Sequence, residues 1–138
     1  MPEETPVRSQ IIPVVVAVLV CDAAVADPTT GKKNLIGVFD IIHARKFPTE
    51  RPMSVYVKLA DAEGFYKMEI RYVETKSGDI LGKAEGDVHI KERLQSSDFF
   101  LSLPPVPIPR EGRYEFQVWA NSVYLGGTSI DALPRAQT

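Results

Sequence analysis

The pattern of apolar and polar residues is clearest near the C-terminal end of the chain, where it predicts a β-hairpin over residues 110–130. In its first strand an apolar residue stands at every second position, and a period of two gathers these residues on one face. The apolar set is Tyr114, Phe116, Val118 and Ala120, and the opposite set is Glu115, Gln117 and Trp119. One face of the hairpin is therefore predicted to lie in the core.

The turn of this hairpin is predicted at Asn121-Ser122, because Asn tolerates the left-handed backbone of two-residue hairpin loops. A two-residue turn fixes the register of the flanking strands. The expected pairs are Ala120 with Val123, Trp119 with Tyr124, and Val118 with Leu125. Trp119 and Tyr124 then form an aromatic pair on the face away from the core. The glycines Gly126-Gly127 are expected to make room for the Phe116 side chain.

Six further strands are predicted from apolar runs or alternation between turn-forming residues, over residues 14–21, 34–47, 53–59, 65–74, 80–90 and 99–103. The first is continuously apolar and is expected to be covered on both faces. Gly37 suggests a bulge or a close backbone approach, and Gly82 and Gly86 weaken the strand over 80–90. The prolines of residues 104–109 end the strand before them, because proline cannot donate to a sheet ladder. A P-x-x-P ligand is the alternative for this run, and a rigid strap between sheets is favoured.

Short strands at regular spacing predict an all-β fold, namely an antiparallel immunoglobulin-like β-sandwich of seven or eight strands, with a small closed barrel as the alternative. Glu111-Gly112-Arg113-Tyr114 resembles the tyrosine corner of such sandwiches, in which the Tyr hydroxyl bonds to nearby backbone. The chain is divided into a polar N-terminal arm (1–10), a sandwich domain (11–133) and a C-terminal tail (134–138). An ordered arm is expected to be held by a contact such as a neighbouring subunit.

Composition narrows the class of protein. A chain of 138 residues with 16 basic and 18 acidic residues is one domain without the charge expected of a nucleic-acid or anionic-membrane partner. The apolar run over 11–20 could imitate a signal peptide, but it lacks a basic leading segment, contains Pro13 and ends at Asp22, so a strand is favoured. The single Cys21 excludes an internal disulfide and suits the cytoplasm.

Candidates for chemistry are few. Cys21 is far in sequence from His43 and His89, and is expected to be a buried structural thiol rather than a nucleophile. Asp40 and His43 fall on opposite faces of a strand, and the loops are too poor in Asp for a calcium site, so no metal is expected. Without a Gly-rich loop between a strand and a helix, no phosphate-binding cofactor is expected either.

A family resemblance rests on spaced motifs rather than on chemistry. The motifs are Cys21-Asp22, then Leu-Ile-Gly-Val-Phe-Asp at 35–40, Phe47-Pro48, and Glu-Gly-Arg-Tyr-Glu-Phe-Gln-Val at 111–118. Together, over residues 15–130, the sequence resembles a bacterial domain-of-unknown-function family of single-domain β-sandwich proteins. The resemblance implies a bacterial origin and a domain that starts before Cys21, and it brings no catalytic residues.

The function predicted from sequence is therefore binding. Trp119 and Tyr124, with Tyr56 on a neighbouring outward face, are the interaction candidates, because exposed aromatic pairs are typical of interfaces. The hypothesis is a non-enzymatic cytoplasmic β-sandwich that binds a protein partner or itself, with homo-oligomerisation through the N-terminal arm. A carbohydrate or small-ligand module using the same aromatics is the alternative, and a hydrolase is third.

Overall fold

Two mostly antiparallel sheets pack face to face in the computed structural model, which describes residues 7–135. The first sheet has the strand order β2-β1-β4-β7 and the second β3-β9-β8-β5-β6. The nine strands are β1 (Val14–Ala26), β2 (Lys33–Val38), β3 (Ile41–Ala44), β4 (Thr49–Ala60), β5 (Gly64–Glu74), β6 (Ile80–Ile90), β7 (Ser97–Ile108), β8 (Gly112–Ala120) and β9 (Val123–Pro134). The sheets do not close on each other, so the β-sandwich is confirmed and the closed barrel is wrong.

The strand count exceeds the prediction of seven or eight because residues 34–47, predicted as one strand, divide into β2 and β3. β2 pairs antiparallel with β1, whereas β3 joins the other sheet as a parallel neighbour of β9. Gly37 has a φ of +68° near the end of β2, and a Cβ there would collide with the Asp22 carboxylate. The close approach expected at Gly37 is therefore to a side chain, and the chain crosses between the sheets just beyond it.

The β8–β9 hairpin is confirmed, with Asn121 and Ser122 at φ values of 47° and 66° in its turn. The predicted pairs Ala120–Val123 and Trp119–Tyr124 are present. The third predicted pair is wrong: Val118 pairs with Gly126, because Leu125 is an extra residue that forms a bulge in β9. The role predicted for Gly127 is also wrong, since a Cβ there would collide with the backbone carbonyl of Phe116 and not with its ring.

The core lies between the sheets and is built from the alternate positions of each strand. Tyr114, Phe116 and Val118 on β8 are fully buried, as the alternation predicted. The Tyr72 ring of β5 stacks against Tyr114, with ring centroids 5.4 Å apart, and tilts against Phe116 at 4.9 Å. These aromatic contacts add to the free energy of burial in the middle of the core.

Strand β1 departs from the prediction that both of its faces are covered. Val18 and Val20 are buried, but Val14 and Val16 are each more than half exposed. The run is apolar throughout, yet one face of its N-terminal half points away from the second sheet, so burial alternates there as in any strand covered on one side. A continuous apolar run was therefore not sufficient to predict a doubly covered strand.

The predicted tyrosine corner is confirmed at the entry to β8. The Tyr114 hydroxyl donates to the Arg110 carbonyl oxygen at 2.6 Å and accepts the Arg110 N–H at 3.2 Å. Arg110 Nε in turn donates to Glu74 Oε2 at 2.7 Å, and Ser77 Oγ donates to Glu74 Oε1 at 2.7 Å. The Glu74 residue is only 5% exposed, so the corner carries a largely covered, fully hydrogen-bonded carboxylate.

We expect this carboxylate to make the fold sensitive to acid. The hydrogen bond from Ser77, and then the one from Arg110, hold the pKa of Glu74 below its ordinary value of 4.5. Stability from these bonds is therefore present above that value and is lost as the pH falls through the lower pKa of the folded state. Unfolding free energies measured between about pH 6 and pH 3 should fall less steeply for Glu74→Gln than for the wild type. Glu92→Gln, on an exposed loop, is the matched control, and equal slopes for all three proteins would contradict the expectation.

The described part of the predicted N-terminal arm, residues 7–10, lies against its own chain. Ser9 N–H donates to the Phe65 carbonyl at 2.9 Å, and Ser9 Oγ donates to the Glu63 carbonyl at 2.6 Å. Asn121 Nδ2 donates to the Ser9 carbonyl at 3.1 Å, which ties this segment to the β8–β9 turn. Residues 1–6 of the arm and 136–138 of the tail lie outside the described residues, and β9 continues to Pro134.

Candidate binding surface

The predicted aromatic pair lies on the outer face of the second sheet. The ring centroids of Trp119 and Tyr124 are 5.5 Å apart with an interplanar angle of 58°. Tyr124 is 47% exposed and Trp119 is half-buried, so the pair presents mainly the Tyr124 ring to solvent. Val123 pairs with Ala120 on the opposite face of the hairpin and does not belong to this surface.

Trp119 is held in place by a residue that the sequence did not single out. The Arg71 guanidinium carbon lies 3.8 Å from the Trp119 ring centroid, which is cation–π geometry. Arg71 also pairs with Glu69, and Trp119 Nε1 donates to Gln117 Oε1 at 3.1 Å. The sequence signal for this contact is the outward position of Arg71 on β5. Arg71 is the cross-strand partner of Gln117 and therefore a diagonal neighbour of Trp119. The tryptophan therefore has a fixed orientation.

Tyr56 does not join this pair, because β4 belongs to the other sheet. Its hydroxyl donates to Asp98 Oδ2 at 2.8 Å, and Lys33 Nζ reaches Asp98 Oδ1 at 2.8 Å. Burial and the neighbouring Asp98 raise the pKa of Tyr56 to about 12. Since Lys33 and Asp98 lie on the opposite edge strands β2 and β7, the β1–β2 hairpin reaches across the outer face of this sheet. Tyr56 is thus half-buried and hydrogen-bonded, and it offers less contact surface than Tyr124.

The residues considered for catalysis are dispersed. His43 lies on β3 and His89 on β6, which are the opposite edges of the second sheet, and His89 stacks on Phe65 with ring centroids 4.0 Å apart. Cys21 is fully buried, its thiol donates to the Ala23 carbonyl at 3.2 Å, and burial raises the pKa of that thiol. Within residues 7–135 no three His, Cys, Asp or Glu side chains are grouped so that they could hold a metal ion.

An apolar groove runs between β6 and β7, and it was not predicted from the sequence. It holds two cavities of about 260 Å³ each, which share Ile70 and Ala84 in their linings. The groove exists because the inward positions of β6 are Gly82, Ala84 and Gly86, so that strand covers little of the facing β5 side chains. Small residues at every second position of β6 are the sequence signal for this groove, although the two glycines by themselves predict only a weak strand.

Comparison with known proteins adds a family and no activity. Residues 16–132 match a family of unknown function, DUF6941, which agrees with the resemblance and the span inferred from the motifs. No curated protein matches the sequence. In the described part of the chain no helix is long and apolar enough to cross a bilayer. Because the match covers most of its length, the chain belongs to DUF6941, a family of unknown function.

Proposed function

We propose that the protein is a non-enzymatic binding domain that recognises another protein through the outer face around Trp119 and Tyr124. The observation that carries the proposal is the fixed Trp119 ring under Arg71, with the exposed Tyr124 ring beside it. Aromatic and arginine side chains dominate the binding energy of protein interfaces, and an ordered aromatic loses little conformational entropy when a partner docks. The three side chains together supply these features at one place on the sheet.

A carbohydrate or small-ligand site on the same aromatics is the second candidate, favoured by the exposed Tyr124 ring. It has less support, because small-ligand sites are usually concave whereas Arg71 already occupies one face of Trp119. The cavities along β6 and β7 are not lined by either aromatic. Trp119 is the only tryptophan, so its fluorescence tests this candidate directly: titration with mono- and oligosaccharides should leave the emission unchanged if protein binding is the function.

A hydrolase has the weakest support, since His43 and His89 lie at opposite sheet edges and the Cys21 thiol is buried. The proposal also includes a bacterial, cytoplasmic setting. The family resemblance favours the first, and one unpaired buried thiol suits the second.

Loss of the Tyr124 ring is expected to weaken partner binding at least tenfold, which corresponds to about 1.4 kcal/mol for a residue of the kind that dominates interfaces. Proteins retained from a lysate of the source organism by the immobilised wild type should be lost with Tyr124→Ala. They should be kept with Val25→Ala, which removes a comparably exposed apolar side chain from the other sheet. The affinity of a retained protein is then measured by calorimetry, and an affinity unchanged by Tyr124→Ala would contradict the assignment of this surface.

A further inference from the structure

Two edge strands, β6 and β7, lie on the same side of the sandwich. Among the described residues, β6 pairs only with β5 and β7 only with β4, so each has one edge without a backbone partner. Pro104, Pro105 and Pro107 lie in β7 and remove N–H donors from its edge. β6 has no proline over its eleven residues, and its pairing with β5 is regular from Gly82 to Ile90, so this stretch can accept another strand.

We propose that β6 pairs antiparallel with β6 of a second copy of this chain, joining two five-stranded sheets into one sheet of ten strands. Long unpaired edges of this kind are templates for strand addition. A two-fold axis makes such a contact self-complementary, since each copy offers the same strand. The charged residues on the outward face of β6 distinguish between the possible registers of this pairing.

The charge pattern of β6 favours one register. Lys83, Glu85 and Asp87 occupy successive outward positions, and outward residues of the two copies can face each other only in registers that keep both faces aligned. An axis at Lys83 opposes two lysines, an axis at Glu85 opposes two glutamates, and an axis at position 86 opposes Glu85 to Asp87 twice. An axis at Ala84 instead sets Lys83 of each copy opposite Glu85 of the other. Among these four registers, it is the one without a like-charge pair.

The side chains that make these contacts are available. Lys83 Nζ lies 2.8 Å from Glu85 Oε1 and 3.5 Å from Glu69 Oε1, within the same chain. The side chains of Lys83 and Glu85 are 45% and 39% exposed, so they can turn towards a second copy without leaving the sheet surface. Lys83 and Glu85, which form an ion pair within one β6 strand, would then form ion pairs between the β6 strands of the two copies.

A two-fold axis at Ala84 also brings the β7 strands of the two copies together. Ala84 lines one cavity together with Leu103 and Pro104 of β7, so an axis at Ala84 brings this part of both β7 strands to the mouth of a shared groove. Prolines there cannot extend the hydrogen-bonded ladder, and the contact in the first sheet is therefore apolar packing. In the dimer the second sheet becomes continuous through the β6 strands, while the β7 strands of the first sheets pack against each other along the groove.

The dimer goes beyond the proposed function because it uses an edge of the second sheet, whereas the proposed binding surface is the outer face around Trp119 and Tyr124. It also places both Trp119–Tyr124 pairs on one continuous face, with the two tryptophans separated by five strand spacings, or about 24 Å. A partner with two matching sites would bind with an effective concentration set by that distance. This last consequence alone rests on the proposed function.

The test is a charge swap followed by light scattering of the full chain. The wild type is expected at the mass of two chains, whereas Lys83→Glu and Glu85→Lys, each alone, oppose like charges twice and should raise the dissociation constant at least tenfold. An equimolar mixture of the two variants restores both attractive pairs and should return to the mass of two chains. Lys76→Glu, on an exposed turn, is the matched control, and circular dichroism checks that each variant is folded.

Each other outcome overturns the proposal in a distinct way. A monomeric wild type at the highest soluble concentration would mean that the charges of β6 protect the edge from pairing. A dimer unaffected by either variant, or variants that stay monomeric on mixing, would exclude this register. A dimer abolished by Tyr124→Ala and not by the swaps would place self-assembly on the aromatic surface instead. Failure of the swap leaves capture of a foreign partner through Tyr124 untouched, so the two proposals can fail separately.

Discussion

Replacing Gly127 with alanine is expected to lower the free energy of unfolding by about 3 kcal/mol, at the upper end of overpacking effects. A Cβ at this position would come closer than 3.0 Å to the Phe116 carbonyl oxygen, and its next contacts are also backbone atoms of β8. Backbone atoms in a paired ladder cannot move aside as a flexible side chain can. The methyl group therefore forces β8 and β9 apart next to the fully buried Phe116.

Gly86→Ala is the matched control for this prediction, since it is the same substitution in the same sheet. A Cβ at Gly86 would meet nothing within 4 Å, and neither glycine has a positive φ. The control is expected to be neutral or to stabilise by up to about 1 kcal/mol through the unfolded state. Denaturant unfolding of both variants measures the difference, and similar losses at the two positions would show that the close approach at Gly127 is not limiting.

Tyr66→Phe is expected to cost about 1 to 3 kcal/mol, because it deletes one hydroxyl that satisfies several partly buried groups at once. Tyr66 is 1% exposed, and its hydroxyl donates to the Ile11 carbonyl at 2.8 Å. It also accepts the Glu63 N–H at 3.0 Å, and the Ser9 hydroxyl oxygen lies 3.1 Å from it. Phenylalanine keeps the ring packed and leaves the Ile11 and Glu63 backbone groups without this partner.

Tyr66→Phe should destabilise the N-terminal segment locally as well as lower the global free energy of unfolding. Native-state hydrogen exchange of the Ser9 amide, which donates to Phe65, is expected to accelerate more than that of Val118 in the centre of the core. Tyr124→Phe removes a hydroxyl from an exposed ring and is the matched control, with an expected change within about 0.5 kcal/mol. Uniform acceleration at Ser9 and Val118 would indicate that the hydroxyl stabilises the whole sandwich and does not specifically hold the N-terminal segment.

Local chemistry explains which parts of the fold were predictable. The turn at Asn121-Ser122 and the corner at Tyr114 depend on residues a few positions apart, and both were predicted correctly. The bulge at Leu125 was missed, because the turn chemistry determines only the pairs next to the turn, and Val118 pairs with Gly126 instead of Leu125. The exposed face of β1 was missed for a related reason, since an apolar run cannot reveal whether another layer covers it.

The candidate binding surface also has a part that the sequence could predict and a part that it could not. The Trp119–Tyr124 pair follows from the hairpin register, which the sequence contains. Tyr56 required knowledge of which sheet β4 joins, and Arg71 required the pairing of β5 with β8, and neither is a local property. The groove had a local signal in the alternate small residues of β6, but its meaning depended on a facing wall of apolar side chains from β7.

The position of Cys21 has a practical consequence for labelling experiments. As the only cysteine, and one that is fully buried with a raised thiol pKa, it should react slowly with thiol reagents while the protein is folded. A cysteine introduced at an exposed position could then carry a spin label or dye without prior removal of the native one. Its residual rate of modification would report how often β1 separates from β2 and β4, which flank it in the first sheet.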